Sequence, residues 1–423
     1  VLPRLWQAGV EAVAAGPAVR RALEQAGLPA RSWTRVLALG KAAAPMAVAA
    51  VEELEARGLK VRDGLVITAH PLTLPHPVLQ VVPGDHPLPG PRSARAAAAV
   101  ARFAESGRPG DFVLVLLSGG ASSLIAAPVP GLSAEDLSRL HARLLRSGLP
   151  IGTINRIRRR FGRWSGGRLA AALAPADLLV LAISDVPGNR FADIGSGPCT
   201  PDLDTASSLL GWIEAEGLLD LLPPDALDLL QLQAAGSLAD SPQPGDPRLA
   251  SVQTRIIASN ADAVAGVIAG AGALGLRAEA ISESLAGEAA EAGRHIVRMA
   301  LEDGRADCLV WGGETTVTLP PEASGRGGRS QELALAAAEV IAGGDSPFPA
   351  VLAAGTDGID GNTDAAGAVV TPATWGRIRR AGRDPAADLA GHDSHAALAA
   401  AGALLRTGPT GTNVMDLVIA LRR

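Results

Sequence analysis

Short runs of Val, Leu and Ile end again and again on loops of Gly, Ser or Lys, and Ala-rich stretches of helical length separate one run from the next. An unalternating apolar run of about four to eight residues suits a strand covered on both faces. Strands of that kind are joined by crossover helices, so the pattern reads as repeated βα units and an α/β chain. Predicted strands are Arg35–Leu39, Asp63–Thr68, Phe112–Leu117, Leu178–Ile183, Thr254–Ala258, Ala278–Ile281, Cys308–Trp311, Val317–Leu319, Ala350–Ala354 and Val414–Leu421. The chain has 423 residues, enough at about 150 residues per domain for two or three domains with real cores. Leu221–Pro247 carries Leu-Pro-Pro-Asp and Asp-Ser-Pro-Gln-Pro-Gly-Asp-Pro, which is turn chemistry. The junction is expected there, giving domains of 1–240 and 250–423.

Charge and composition exclude several functions. Formal net charge is −5 and aromatics are 3% with no Tyr, which argues against binding nucleic acid by charge or by stacking. No run approaches the roughly 20 apolar residues of a membrane span, and Val1–Trp6 lacks the pattern of a signal peptide. Two cysteines, Cys199 and Cys308, make no disulfide scaffold and fit a reducing, cytoplasmic setting. Of 38 basic residues only Lys41 and Lys60 are lysines, so a chain that writes Arg almost everywhere has kept Lys at two places.

Several loops carry chemistry. Val36–Leu39 runs into Gly40-Lys41-Ala42, where a glycine, the free N–H groups of a following helix and a compact cation suit an anion; the alternative is a solvated Lys. It is not a Walker A loop, because Arg35 stands where the first Gly belongs and Ala42 where Ser or Thr would hold Mg²⁺. Val113–Leu117 runs into Ser118-Gly119-Gly120-Ala121-Ser122-Ser123, either an anion nest at the carboxyl edge of a parallel sheet or a tight turn. Residues 156–168 hold six arginines in 13 positions, which either handle a polyanion or form a solvated helix face. Asp185 follows the strand ending at Ile183, where a carboxylate can ligate Mg²⁺, take a hydroxyl proton or cap a turn.

The C-terminal half adds Gly312-Gly313-Glu314-Thr315-Thr316, then Gly325-Arg326-Gly327-Gly328-Arg329-Ser330-Gln331-Glu332, Gly355-Thr356-Asp357-Gly358-Ile359-Asp360-Gly361-Asn362-Thr363-Asp364 and Thr407-Gly408-Pro409-Thr410-Gly411-Thr412-Asn413. Arginines in a glycine loop before a helix can stabilise a transferring phosphoryl group. The acidic loop is either a turn with capping aspartates or a Mg²⁺ or substrate site; it lacks the later Glu of an EF-hand. Gly270-Ala271-Gly272-Ala273-Leu274-Gly275 matches a dinucleotide fingerprint but follows a helical run, so it reads as a helix C-cap. His70, His86, His392 and His395 lack the spacing of zinc ligands.

Taken in order, these loops, with Gly84-Asp85-His86-Pro87-Leu88-Pro89, Ser184-Asp185-Val186-Pro187-Gly188 and Ser196-Gly197-Pro198, resemble the class II glycerate 2-kinase family, whose C-terminal half is the MOFRL domain. The resemblance implies two three-layer α/β/α domains, the first Rossmann-like with a mostly parallel sheet and the second with a mixed sheet, around a cleft that holds the active site. It implies transfer of phosphate from ATP, with Mg²⁺, to the C2 hydroxyl of D-glycerate, giving 2-phosphoglycerate, by a monomer or homodimer without nucleic-acid or membrane partners. Lys41, Asp185, Arg326 and Arg329 would then be catalytic. Nucleotide and substrate would be held by Gly40, Ser118, Gly119, Gly120 and Ser122, by Asn155 and Arg158, and by Asn260, Glu314, Gln331, Asp357, Thr410 and Asn413; Asp185 and Asp357 would hold metal. The chain departs from the family pattern at Arg160, Gly162 and Ser165, where His, Ser and Lys are usual, and more mildly at Ser330 and Asn362. Two other readings stand beside the kinase. They are an NAD(P)-dependent hydroxypyruvate reductase, opposed by the lack of a correctly placed dinucleotide loop, and a non-catalytic nucleotide- or anion-binding protein.

Overall fold

The computed structural model describes residues 1–28, 33–302, 306–320, 324–344 and 350–422. They fall into two compact units, Ala15–Ile257 and Val1–Ala14 together with Ala258–Arg423.

The unit Ala15–Ile257 is built on β1 (Thr34–Leu39), β2 (Val61–Thr68), β3 (Leu79–Pro83), β4 (Phe112–Leu117), β5 (Asp177–Ile183) and β6 (Val252–Ala258). They lie in the order β3-β2-β1-β4-β5-β6, and the pairs from β3 through β5 are parallel. β1 and β4 are buried along their whole length, as unalternating apolar runs require when helices cover both faces. Leu37, Leu39, Val113, Val115 and Leu117 join the core cluster with Ala96, Val100 and Phe103 from helix Pro91–Glu105. The order runs outward from β1 to β3 on one side and from β4 to β6 on the other. The direction of winding therefore reverses between β1 and β4, and a crevice opens beyond their carboxyl ends.

The strand β3 was not predicted. It follows a Pro-rich stretch and ends on Pro83, which a sheet tolerates at an edge, where the missing N–H leaves no ladder bond unmade. The stretch Leu221–Pro247, expected to be a junction of turns, contains a helix, Pro224–Ala234, with Ala226, Leu229 and Leu230 buried. Pro at the first helical positions starts a helix because its absent N–H would have no partner there anyway. This helix shares a second apolar cluster with Leu140, Ile157, Phe161, Leu209 and Ile213.

The other unit contains β7 (Ala278–Ala280), β8 (Cys308–Gly313), β9 (Ala350–Gly355), β10 (Gly367–Val370), β11 (Leu404–Leu405) and β12 (Asp416–Leu421), in the order β11-β10-β9-β12-β8-β7. Among the described strands β7 and β8 pair in parallel and the others antiparallel, so this sheet is mixed. Its core gathers Leu309, Trp311, Val351, Ala353 and Val418 with Leu333, Ala334 and Ala337 of helix Arg329–Ala342. Helix Leu2–Ala12 packs against helix Asn260–Ala273, where the bare faces of Gly9, Gly266 and Gly270 meet the partner's side chains and backbone. The N-terminal helix thus belongs to this unit, although a boundary near 240 assigns it to the first. Gly275 terminates Asn260–Ala273 with the Leu276 N–H donating to the Ala271 carbonyl at 3.0 Å, the C-cap expected of that glycine run.

Val317–Leu319 is not a strand. Thr316 makes one isolated bridge to Glu288, and the Thr318 N–H donates at 3.2 Å to the Glu288 carboxylate, so a side chain takes the place of a ladder partner. β10 and β11 were missed because four and two residues between turns carry no periodicity. Among the described residues no helix is long and apolar enough to cross a membrane. Cys199 and Cys308 are free and buried, and burial pushes the Cys199 thiol up to about 12.

Candidate active site

Lys41 owes its position to two loops that leave neighbouring parallel strands at the winding reversal. Gly40 follows β1 with φ +120, and a Cβ there would collide with the Ser118 hydroxyl and carbonyl; only glycine lets the loops approach so closely. The contact is then stitched by hydrogen bonds: Lys41 N–H donates to the Gly119 carbonyl at 2.9 Å, Ser118 N–H to the Leu39 carbonyl at 2.9 Å, and Ala42 N–H to the Ser118 hydroxyl at 3.0 Å. Gly120, at φ +83, turns a face without a side chain toward the His86 ring, 3.0 Å from where its Cβ would stand, and toward Lys41 Cγ at 3.5 Å. His86 is held through Asp85, whose carboxylate accepts from Arg92 Nε at 2.6 Å and from the Arg92 N–H at 2.7 Å. The Arg92 guanidinium keeps that carboxyl below its usual range.

The predicted loops Gly40-Lys41 and Ser118-Gly119-Gly120 therefore form one group, with Lys41 exposed and Gly120 and Ser122 partly exposed. Asp185 lies half-buried just past β5, the strand next to β4, after Ser184, whose hydroxyl accepts from the Val186 N–H at 3.3 Å. His86 was passed over as a non-ligand; its place in the Gly84–Pro89 motif was the available signal. The other lysine, Lys60, lies over the Trp33 ring at 5.6 Å, before β2 and so at the opposite end of the sheet from the crevice.

The arginines of 156–168 mostly serve the fold. Arg156 makes paired bonds to Asp204 at 2.8 and 2.6 Å and stacks on Trp212. Arg159 bonds Asp193 at 2.6 Å. Arg160, fully buried, meets Asp240, Asp202 at 3.3 Å and Ser241 at 2.8 Å. Arg168 caps the carbonyls of Arg159, Arg160, Gly162 and Ser165. A cluster that handles a polyanion as a whole, or a solvated face, is thereby replaced by a set of internal ion pairs. Asn155 and Arg158 lie one turn apart and half-buried on helix Ile151–Phe161.

In the unit containing residues 258–423, β8 and β9 end where their antiparallel partner β12 begins. Asp416 stands opposite both Gly313 and Gly355, which brings Glu314, Asp357 and Asp416 to one end of the sheet. Arg329 joins two of them: Nε and Nη2 bond Asp416 at 2.6 and 3.1 Å, and Nη1 pairs with Glu314. Burial works against its charge, but Asp416, Glu314 and Asp360 outweigh it and raise its pKa. Arg326 is exposed; its Nε donates to the Asn362 carbonyl at 3.4 Å, its backbone N–H to Asp393 at 3.2 Å, and its carbonyl accepts from the His395 N–H at 2.9 Å. Asp416 was missed by sequence reasoning, although an acid inside the apolar run Val414–Leu421 was a visible anomaly.

Other predicted binding residues hold loops. Gln331 is fully buried, donating to the Asp360 carboxylate at 3.0 Å and to Thr363 at 2.9 Å, with its carbonyl oxygen 2.9 Å from His395 Nδ1. Asn260 donates to the Val414 and Asp416 carbonyls at 2.8 and 3.0 Å. Thr410 donates to the Thr356 carbonyl at 2.6 Å, and the Asn413 side chain accepts from the Met415 N–H at 3.3 Å. Asp357 accepts from the Ile359 N–H at 3.1 Å.

Burial, reinforced by Asp416, pushes Asp360 up to about 6 against hydrogen bonds from Gln331 and Ser330. The folded protein holds this proton more tightly than the unfolded chain. The associated stability is therefore complete below the ordinary carboxylate value of 3.8 and lost as pH rises through about 6. The stability of wild type relative to Asp360→Asn is expected to fall between about pH 4 and 6. Thermal melts of both proteins across that range check it, and a difference that is flat or rises with pH contradicts the assignment.

A doubly wound parallel sheet whose reversal-point loops carry a lysine and a run of glycine and serine defines an α/β protein of the class that binds ligands beyond the carboxyl ends of its strands. Residues 1–231 match the family described as a domain of unknown function, DUF4147, and residues 307–416 match the MOFRL family. A D-glycerate 2-kinase of Thermotoga maritima is 37% identical, covering 93% of this chain and 92% of its own length. A relative from Agrobacterium vitis with a provisional hydroxypyruvate reductase name is 34% identical, covering 92% of this chain and 88% of its own. A crystal structure of glycerate kinase from Thermotoga maritima superposes with a TM-score of 0.85 at 35% identity, covering 99% of this chain and 98% of that one. The chain belongs to the glycerate kinase family of phosphotransferases.

Proposed function

We propose that the chain transfers the γ-phosphoryl group of ATP to the C2 hydroxyl of D-glycerate, giving 2-phosphoglycerate and ADP. The observation that carries this reading is the stitched pair of loops that fixes Lys41 beside Gly119 and Gly120 at the winding reversal. The bond from the γ-phosphorus to its bridging oxygen breaks, a bond to the C2 oxygen forms, and the hydroxyl proton passes to Asp185. Catalysis of this transfer is mainly positioning and charge stabilisation. The nest N–H groups hold phosphate oxygens and Lys41 offsets the charge that develops on them. Of the two candidate arginines, Arg329 is committed to Asp416 and Glu314, whereas the Arg326 side chain is exposed.

Mg²⁺ fits the residues present. Asp357 and Asp416 each bring a carboxylate oxygen to the bare face of Gly355, at 3.2 and 3.3 Å from where a Cβ would stand. One or two carboxylates with substrate phosphates are the usual ligand set of this ion. When bound it neutralises phosphate charge. We place the reaction in the cytoplasm, with small molecules as the only partners and a monomer or homodimer as the working form.

ADP release from ATP, Mg²⁺ and D-glycerate tests the reading, with enolase added to consume 2-phosphoglycerate. Enolase signal without phosphoglycerate mutase is the expected result. Signal that requires the mutase places the phosphate on C3, and NADH oxidation with hydroxypyruvate in place of ADP release restores the reductase.

A further inference from the structure

Unlike Arg156, Arg159 and Arg160, which bond aspartates, Arg158 has no anion. Among the described residues its guanidinium makes no hydrogen bond or ion pair, and burial alone lowers its pKa. It lines a small pocket with Ser122, His141, Trp164, Ser165 and Ser196, while Arg163 sits exposed at the rim over the Trp164 ring. Two more polar atoms of its lining residues, His141 Nδ1 and Trp164 Nε1, are buried without a partner among the described residues, Trp164 itself being 5% exposed. A desolvated cation and a buried indole N–H without a partner are each costly, and a bound anion relieves both, with the imidazole of His141 free to donate in the tautomer protonated at Nδ1.

We propose that this pocket is the subsite for the carboxylate of the hydroxy-acid substrate, with Arg158 as its specificity-determining cation. The inference rests on the kinase reading and names the group that selects an acid over other alcohols. A planar guanidinium fork matches a carboxylate in two parallel bonds. The charge count favours a monoanion over a polyphosphate, because of the two arginines among the described residues that line the pocket only Arg158 is withdrawn from solvent, Arg163 being exposed. Burial first, and Arg158 second, push His141 down to about 3, so at neutral pH it is an uncharged hydrogen-bonding group. Ser122 lies in the helical turn Ala121–Leu124 that directly follows Gly120, so the pocket continues the phosphate nest and sets the acid end of a small substrate beside it.

The test uses the full chain, with KM for D-glycerate and for ATP measured in wild type, Arg158→Ala and Trp164→Phe. Loss of a charge-assisted pair is expected to raise KM for glycerate about 10- to 100-fold in Arg158→Ala and leave KM for ATP unchanged. The preference of wild type for glycerate over its uncharged amide should collapse in the same variant, which a purely structural arginine would not cause. Trp164→Phe removes an orphaned N–H, so it should melt no lower than wild type yet raise KM for glycerate about 3- to 10-fold. It decides the question if Arg158→Ala does not fold. A rise in KM for ATP alone assigns the pocket to nucleotide phosphate and overturns the proposal, as does an unchanged KM for glycerate. If wild type does not phosphorylate glycerate, the kinase reading fails separately. Calorimetric titration with D-glycerate then decides the subsite: binding by wild type and not by Arg158→Ala upholds it, and no binding by wild type overturns it.

Discussion

Lys41→Ala is expected to lower turnover at least about 10³-fold and to leave the melting temperature near that of wild type. The lysine side chain is exposed, whereas what ties the two loops together is backbone: the Lys41 N–H to Gly119, the Ala42 N–H to Ser118 and the Ser118 N–H to Leu39. Truncation therefore removes the charge and spares the scaffold. Lys41→Arg should rescue little. The loop leaves Lys41 Cγ close to the bare face of Gly120, which the His86 ring also approaches, and a rigid planar fork presents its charge differently from a compact ammonium. Steady-state ADP release by the two variants, with circular-dichroism melts as the control for folding, gives the answer. Near-wild-type kcat in Lys41→Ala would remove Lys41 from the chemistry and leave the nest as the anion site.

Strands covered on both faces were legible because their burial leaves a mark on every residue. β1, β4, β5 and β9 read as unbroken apolar runs, and the structure has them within a residue of the expected limits. β3, β10 and β11 are short or lie at an edge, where neither face forces a pattern. The loops around Lys41 and Ser118 were legible for a related reason. Glycines that admit a close approach, and a lysine in a chain that prefers arginine, are local features. What could not be read was the partner of each polar group. Gln331 and Asn260 are the residue types of ligand sites, yet their bonds go to Asp360, Thr363 and the carbonyls of β12 and the residues before it. Asp416 looked like strand interior until two neighbouring strands ended beside it. The six arginines posed the same problem in its sharpest form. Their concentration allowed a polyanion site or a solvated helix face, but whether each faced a ligand or an aspartate depended on Asp193, Asp202, Asp204 and Asp240, tens of residues away.

Arg160 shows what that dependence is worth. The family resemblance implies His at this position, and the chain's Arg160 is fully buried against Asp202, Asp240, Ser241 and the Asp204 carbonyl, 2.5 Å from Nη2. Asp202 is itself 2% exposed and accepts from the Ser241 hydroxyl at 3.0 Å, so its carboxylate has little water to fall back on. Arg160→Met keeps the apolar stem and removes the charge, leaving Asp202 inside the protein without its nearest cation. The expected loss is about 3–5 kcal/mol, because breaking a buried pair strands the remaining charge where solvent cannot reach it. Urea unfolding followed by circular dichroism measures this as an earlier first transition, while KM for glycerate and ATP in the folded variant should stay close to wild type. The same reasoning predicts partial recovery in Arg160→Met combined with Asp202→Asn, since neutralising the stranded partner removes the cause of the loss. A variant as stable as wild type but with weakened substrate affinity would mean that Arg160 faces a ligand, and that the departure from His changes the site and not the fold.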